Sequence, residues 1–109
     1  MIRTLITLIA SLMVHGEAVS NAASPPHLHV VEIQAFQFHP QRIVIAPGDT
    51  IVWVNRDIVP HTVTANGGTW ESQTLEEGQS WQVVVEATGV YSYFCKFHPH
   101  MTGVLATRE

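Results

Sequence analysis

From residue 29 to residue 107 the chain is a succession of short runs rich in β-branched and aromatic residues, each closed by a turn signal. Short runs of this kind, bounded by turn residues, read as strands. No stretch carries a helical period over a convincing length. The runs fall at residues 29–38, 42–46, 50–55, 61–65, 80–86, 90–95 and 103–107. Between them stand Ala46-Pro47-Gly48-Asp49, Asn66-Gly67-Gly68 and Ala87-Thr88-Gly89, whose glycines accept the positive φ of tight turns. This spacing predicts an all-β sandwich or barrel. Val90, Ser92 and Phe94 alternate with Tyr91, Tyr93 and Cys95, so Cys95 shares a face with the two tyrosines. Trp53, Trp81, Phe36, Phe38 and residues 83–85 are the expected core. Trp70, beside Gly67 and Gly68, fits core and surface equally well.

The last of these runs but one ends in the only cysteine, Cys95, followed by Lys96-Phe97-His98-Pro99-His100-Met101, and a further histidine, His61, lies upstream after Pro60. Each of these residues alone has an ordinary explanation: a buried cysteine is a small hydrophobe, a methionine fills core, and a histidine beside a proline is a turn residue. Together, one thiolate, two imidazoles and a thioether make the donor set of a trigonal Cys-His-His copper site with a weak axial Met. Such a mixed set fully suits neither Cu(I) nor Cu(II), so little rearranges when an electron moves. Zinc also takes Cys and His, but structural zinc sites commonly hold two or more cysteines. Cys95, His98 and Met101 recur every third residue, which a helix would also bring to one face. Pro99 disfavours helical geometry at His98 and predicts a loop.

At 109 residues the chain is one domain, and its start reads as an export leader. Arg3 supplies the positive end, residues 5–14 a short apolar run, and residues 18–23 a small-residue cleavage region. The ten-residue run is shorter than the ~20 residues of a spanning helix, so no stable membrane anchor is expected. Assigning residues 1–23 to the leader leaves a domain of residues 24–109 and predicts a periplasmic location. A lone cysteine in an oxidising compartment needs protection, which a metal provides. Without the leader the chain keeps four basic and eight acidic residues, which excludes a general nucleic-acid binder held by phosphate contacts. Ser24-Pro25-Pro26 forms a lead in which prolines lack the amides an amino-terminal copper site would deprotonate. His27 and His29 are accordingly expected at the surface.

Three segments, residues 44–55, 60–63 and 89–103, resemble the cupredoxins, and most closely their short-loop amicyanin-like or plastocyanin-like members. The resemblance spans nearly all of the exported chain, and its most specific element is the two-residue gap between His98 and Met101. It implies a Greek-key β-sandwich or barrel. It also implies that His61, Cys95 and His98 hold copper in a plane, with Met101 axial. Asn55 matches the family asparagine that ties the first ligand loop to the cysteine loop, although Asn55-Arg56-Asp57 equally reads as a turn. The resemblance further implies an electron port at the second histidine, framed by Pro60, Phe97 and Pro99, with Ile58 and Val59 either joining it or packing inward. Lys96, Phe97 and His100 depart from amicyanin.

These readings converge on a monomeric carrier of single electrons that cycles one copper ion between Cu(I) and Cu(II). The implied partners are redox proteins such as a c-type cytochrome or a periplasmic dehydrogenase. Copper delivery or sequestration is the alternative, because it would use the same donors. An enzyme is disfavoured, since the chain carries no second ligand cluster for a further copper, and a dinuclear centre would need a second bridging cysteine.

Overall fold

The computed structural model describes residues 9–13, 16 and 25–108; the expected cleavage region at residues 18–23 lies outside them. The described residues form eight strands and no helix: β1 (Leu28–Gln34), β2 (Gln37–His39), β3 (Arg42–Ile45), β4 (Thr50–Asn55), β5 (Thr64–Ala65), β6 (Ser80–Val84), β7 (Val90–Phe94) and β8 (Thr102–Thr107). They make two four-stranded sheets, ordered β2-β1-β4-β6 and β3-β8-β7-β5. β1 runs parallel to β4 and β3 parallel to β8, while the other pairs are antiparallel. The result is an all-β Greek-key sandwich: the spacing of turns predicts a sandwich or barrel, and the family resemblance implies the Greek key.

β4 shows why these residues make strands. Its Thr-Ile-Val-Trp-Val-Asn sequence alternates half-buried and buried positions without a break, the period-two signature of a pleated strand. Ile51 and Trp53 point into the core, and Asn55 closes the same face at the end of the strand. Tyr93 in β7 and Cys95 just past its end are fully buried, so the face carrying the tyrosines is the inner one. Tyr93 sits edge-on to Trp53 and Phe38, at centroid distances of 5.4 and 4.8 Å. Trp70 is buried and packs on Tyr91 and Tyr93, which settles its place in the core.

Three expectations are corrected. The 29–38 run is two strands, because Ala35 and Phe36 both take positive φ, 53° and 57°, and turn the chain back on itself. Phe36 is consequently 48% exposed and not in the core. Such a turn ordinarily selects Asn, Asp or Gly, so nothing in its residue types announces it. The 83–85 run is only partly core, with Val85 buried, Val83 half-buried and Val84 exposed. The 61–65 run is a strand only at Thr64–Ala65, His61 being an isolated bridge to Leu75.

At the pole where β1 begins, Asp49 is buried. Its carboxylate accepts the His27 N–H at 2.9 Å and the Ala46 N–H at 3.0 Å and pairs with the His29 ring at 2.8 Å. These contacts, the His27 amide foremost, hold its pKa well below the ordinary carboxylate value. A depressed pKa contributes stability that is complete above the unfolded-state value and lost as pH falls through the folded one. Acid unfolding followed by circular dichroism should therefore show stability declining below about pH 4. Asp49→Asn should be less stable at neutral pH and show a shallower acid limb.

Gly103 pairs with Tyr93 across β7 and β8, and the Tyr93 ring occupies the space a side chain would need. A Cβ added at Gly103 would lie 2.3 to 2.6 Å from Tyr93 ring and hydroxyl atoms. The ring is wedged among Trp53, Phe38 and Trp70 and has no direction in which to yield. Gly103→Ala should cost about 1–3 kcal/mol, as overpacking does. Thermal melting should register this as a fall of at least about 4 °C.

Candidate metal centre

Cys95 follows directly on β7, and two consecutive turns carry the chain from it to Met101. The His98 N–H donates to the Cys95 carbonyl at 3.2 Å, and the Met101 N–H donates to the His98 carbonyl at 2.8 Å. The Cys95 N–H closes the loop on the Met101 carbonyl at 3.1 Å. Pro99 occupies the second position of the second turn, where its fixed φ is favoured. The segment is thus a loop, as Pro99 predicts, and its three-residue spacing is the period of the two turns.

The second loop brings His61. Its backbone exchanges hydrogen bonds with Leu75 in both directions, at 3.1 and 2.8 Å, and its side chain is fully buried. His61 Nδ1 lies 3.7 Å and His98 Nδ1 3.8 Å from Cys95 Sγ. All three donor atoms fall within 4.8 Å of one another, and this is the one such cluster among the described residues. Met101 is buried at 5% exposure, and its backbone closes the loop that carries Cys95 and His98. With sulfur and nitrogen bonds of the zinc-like lengths ~2.3 and ~2.0 Å, a trigonal angle separates the donors by about 3.7 Å and a tetrahedral one by about 3.5 Å. The observed separations leave room for one ion bound to all three donors, and a donor set of one cysteine sulfur and two imidazoles fits copper.

The two loops are tied through Thr62. Its N–H donates to Cys95 Sγ at 3.4 Å, and its buried Oγ1 accepts the Lys96 N–H at 2.9 Å. Asn55 does not make that tie: its Nδ2 donates to the carbonyls of Val59 and Leu75, and its Oδ1 accepts the Asp57 N–H. It therefore braces the loop leading to His61 from within, in accord with its position at the buried end of β4. Thr62 follows His61 in the sequence, but no local pattern distinguishes its role. Lys96 pairs with Glu71, so its charge is met at the rim of the site.

Of the residues expected to frame an electron port, Phe97 is 51% exposed, Pro99 exposed and Pro60 half-buried. Ile58 projects outward at 84% exposure, which decides its orientation, and Val59 is half-buried. Sequence reasoning missed Phe36, which joins this surface with its ring edge-on to His98 at 4.9 Å and to His61 at 5.5 Å. It missed Asp57 as well, whose carboxylate lies 2.8 Å from His61 Nε2. Burial works to raise the Asp57 pKa, but the Phe36 N–H, the His61 ring and the Ala35 N–H outweigh it and hold the carboxyl below its ordinary value. A donated Nε2–H leaves Nδ1 of His61 free to bind metal, the arrangement usual for metal-bound histidines.

A two-sheet sandwich with a buried Cys-His-His cluster at one pole defines a class of mononuclear metalloproteins. The chain belongs to the cupredoxin family: the model of the cupredoxin-like domain matches residues 4–106. It is 32% identical over 92 residues to amicyanin-alpha of Methylorubrum extorquens, spanning 80% of this chain and 76% of that protein. Amicyanin of Paracoccus versutus is 29% identical over 90 residues, spanning 78% of this chain and 68% of the relative. Among solved structures, a purple cupredoxin from Nitrosopumilus maritimus superposes with a TM-score of 0.69 at 29% identity, covering 73% of this chain and 99% of that one. Proteins of this family bind one copper ion, and His61, Cys95, His98 and Met101 supply a donor set that fits it. Membership of the family carries electron transfer by copper.

The Thr62 tie yields a prediction. Thr62→Val keeps the amide that donates to Cys95 Sγ and leaves the Lys96 N–H without its acceptor. Chemical denaturation of the metal-free protein should show a loss of about 0.5–1.5 kcal/mol, the net worth of a hydrogen bond such as this part-buried one.

Proposed function

We propose that this protein is a type 1 copper protein of the periplasm that passes single electrons between redox proteins. The observation that carries the reading is the buried sulfur of Cys95 with the two imidazole Nδ1 atoms 3.7 and 3.8 Å away. In this reading His61, Cys95, His98 and Met101 would hold the metal, and copper bound there would supply a one-electron couple. The chain supplies the rest. Burial of Cys95 and His61 excludes water, the Thr62 N–H steadies the sulfur, and the paired turns of the 95–101 loop set His98 and Met101 relative to Cys95.

His98 is the half-buried member of the set, so its ring edge is the natural point of exit. The surrounding Pro60, Phe97 and Pro99, with Ile58 and Phe36, form an apolar surface suited to brief docking over a small interface. A c-type cytochrome or a periplasmic dehydrogenase fits as partner. No helix among the described residues is long and apolar enough to cross a membrane. Residues 1–23 act as the export leader in this reading, and residues 24–109 as the working domain.

The test is the visible absorption and electron paramagnetic resonance spectrum after one equivalent of Cu(II). An intense thiolate-to-copper band with a small copper hyperfine splitting is expected, and Cys95→Ser should abolish the band while the sandwich stays folded. A colourless parent protein with an ordinary square-planar signal would reject the electron carrier in favour of copper delivery or sequestration.

A further inference from the structure

Asp57, four residues before His61, uses both carboxylate oxygens to join parts of the chain that are distant in sequence. Oδ1 accepts the Ala35 N–H at 2.8 Å. Oδ2 accepts the Phe36 N–H at 3.0 Å and also lies 2.8 Å from His61 Nε2. The carboxylate is held in turn, because the Asp57 N–H donates to the buried Asn55 Oδ1 at 2.9 Å. Ala35 and Phe36 are the two central residues of the β1–β2 turn, and both are left-handed. For a residue as bulky as phenylalanine that conformation persists only where its surroundings over-determine it. Two hydrogen bonds from one carboxylate do so here.

The geometry has a consequence at the metal centre. Fixing the turn places the Phe36 ring perpendicular to both ligand imidazoles, with interplanar angles of 89° to His61 and 86° to His98. The same ring lines a cavity of about 540 Å³ whose other walls include His98, His100 and Met101. We propose that Asp57 is a positioning residue that couples the first copper ligand to an aromatic lid, one carboxylate orienting His61 and holding Phe36 over the two imidazoles. The proposal rests on the copper reading of His61 and His98. The sharing of Oδ2 between a ligand ring and the lid's own amide is what distinguishes it from a simple hairpin clamp.

The charge matters as much as the bond. A carboxylate on the outer nitrogen of a ligand imidazole increases that ligand's basicity and favours the more positively charged oxidation state of the bound metal. Removing the charge while keeping the size of the side chain should therefore weaken Cu(II) binding more than Cu(I) binding and raise the reduction potential. Releasing the hairpin should at the same time expose the amides of Ala35 and Phe36 to exchange.

The experiment compares the full chain with Asp57→Asn, after the parent's blue copper spectrum has been recorded, so that failure of the copper reading shows itself separately. Hydrogen exchange at Ala35 and Phe36 is read in the metal-free protein, and Cu(II) affinity and reduction potential in the loaded one. The expected result is faster exchange at both amides, a 10–100-fold loss of Cu(II) affinity and a higher potential. Faster exchange with affinity and potential unchanged would reduce Asp57 to a hairpin clamp. Changed affinity with both amides still protected would overturn the coupling. If Asp57→Asn alone folds poorly, adding Ala35→Gly relaxes the turn, since glycine accepts positive φ. The affinity loss and raised potential should then persist, and their disappearance would count against the proposal.

Discussion

The metal-binding pole depends on holding one buried sulfur, Cys95 Sγ, within reach of two imidazole nitrogens from different loops. The thiolate that a metal would bind is costly to remove from water unless it is paired and hydrogen-bonded. Here the sulfur meets the Thr62 amide at 3.4 Å and faces the Nδ1 atoms of His61 and His98. A metal ion brings the remaining compensation and also couples ligand binding to folding. The sandwich exists on both sides of this requirement: β7 delivers Cys95 from one sheet, and the loop after β4 delivers His61 from the other.

Rigidity at the site comes from short-range and long-range bonds acting in series. The two turns of the 95–101 loop fix Cys95, His98 and Met101 relative to one another. Thr62 then fixes that loop relative to His61, through Lys96 and through the sulfur itself. Asn55 and Asp57 brace the His61 loop from below, and the Ala35-Phe36 turn closes over it. Bracing of this kind would limit how far the ligands move between the oxidation states of a bound copper ion.

Charge beside the ligand loops is matched within the chain while apolar side chains stand exposed there. Phe36, edge-on to the half-buried His98 ring, is half-exposed, and Ile58 and Phe97 are exposed on the two ligand loops. Lys96 is turned aside to Glu71, and Asp57 is mostly covered and bonded inward. In the proposed reading a partner would meet apolar surface without leaving either charge unpaired.

Local chemistry and local period are legible in the chain alone. Alternation in β7 marks a strand because successive side chains must point to opposite faces. Cys95, His98, Pro99 and Met101 read as a ligand loop because one tight pair of turns spans them. Tertiary structure alone decided what approaches from far along the chain. Thr62 reaches Cys95 and Lys96 across 33 and 34 residues, and the Asp57 carboxylate forces a turn at Ala35 and Phe36 that lies 22 and 21 residues away. Phe36 has a core residue's side chain, and its exposure follows from a backbone conformation that its own residue type disfavours. Hydrophobic period reports which face a residue occupies within one strand. It is silent on contacts whose energy belongs to two segments at once, and the lid and the ties between the ligand loops are of that kind.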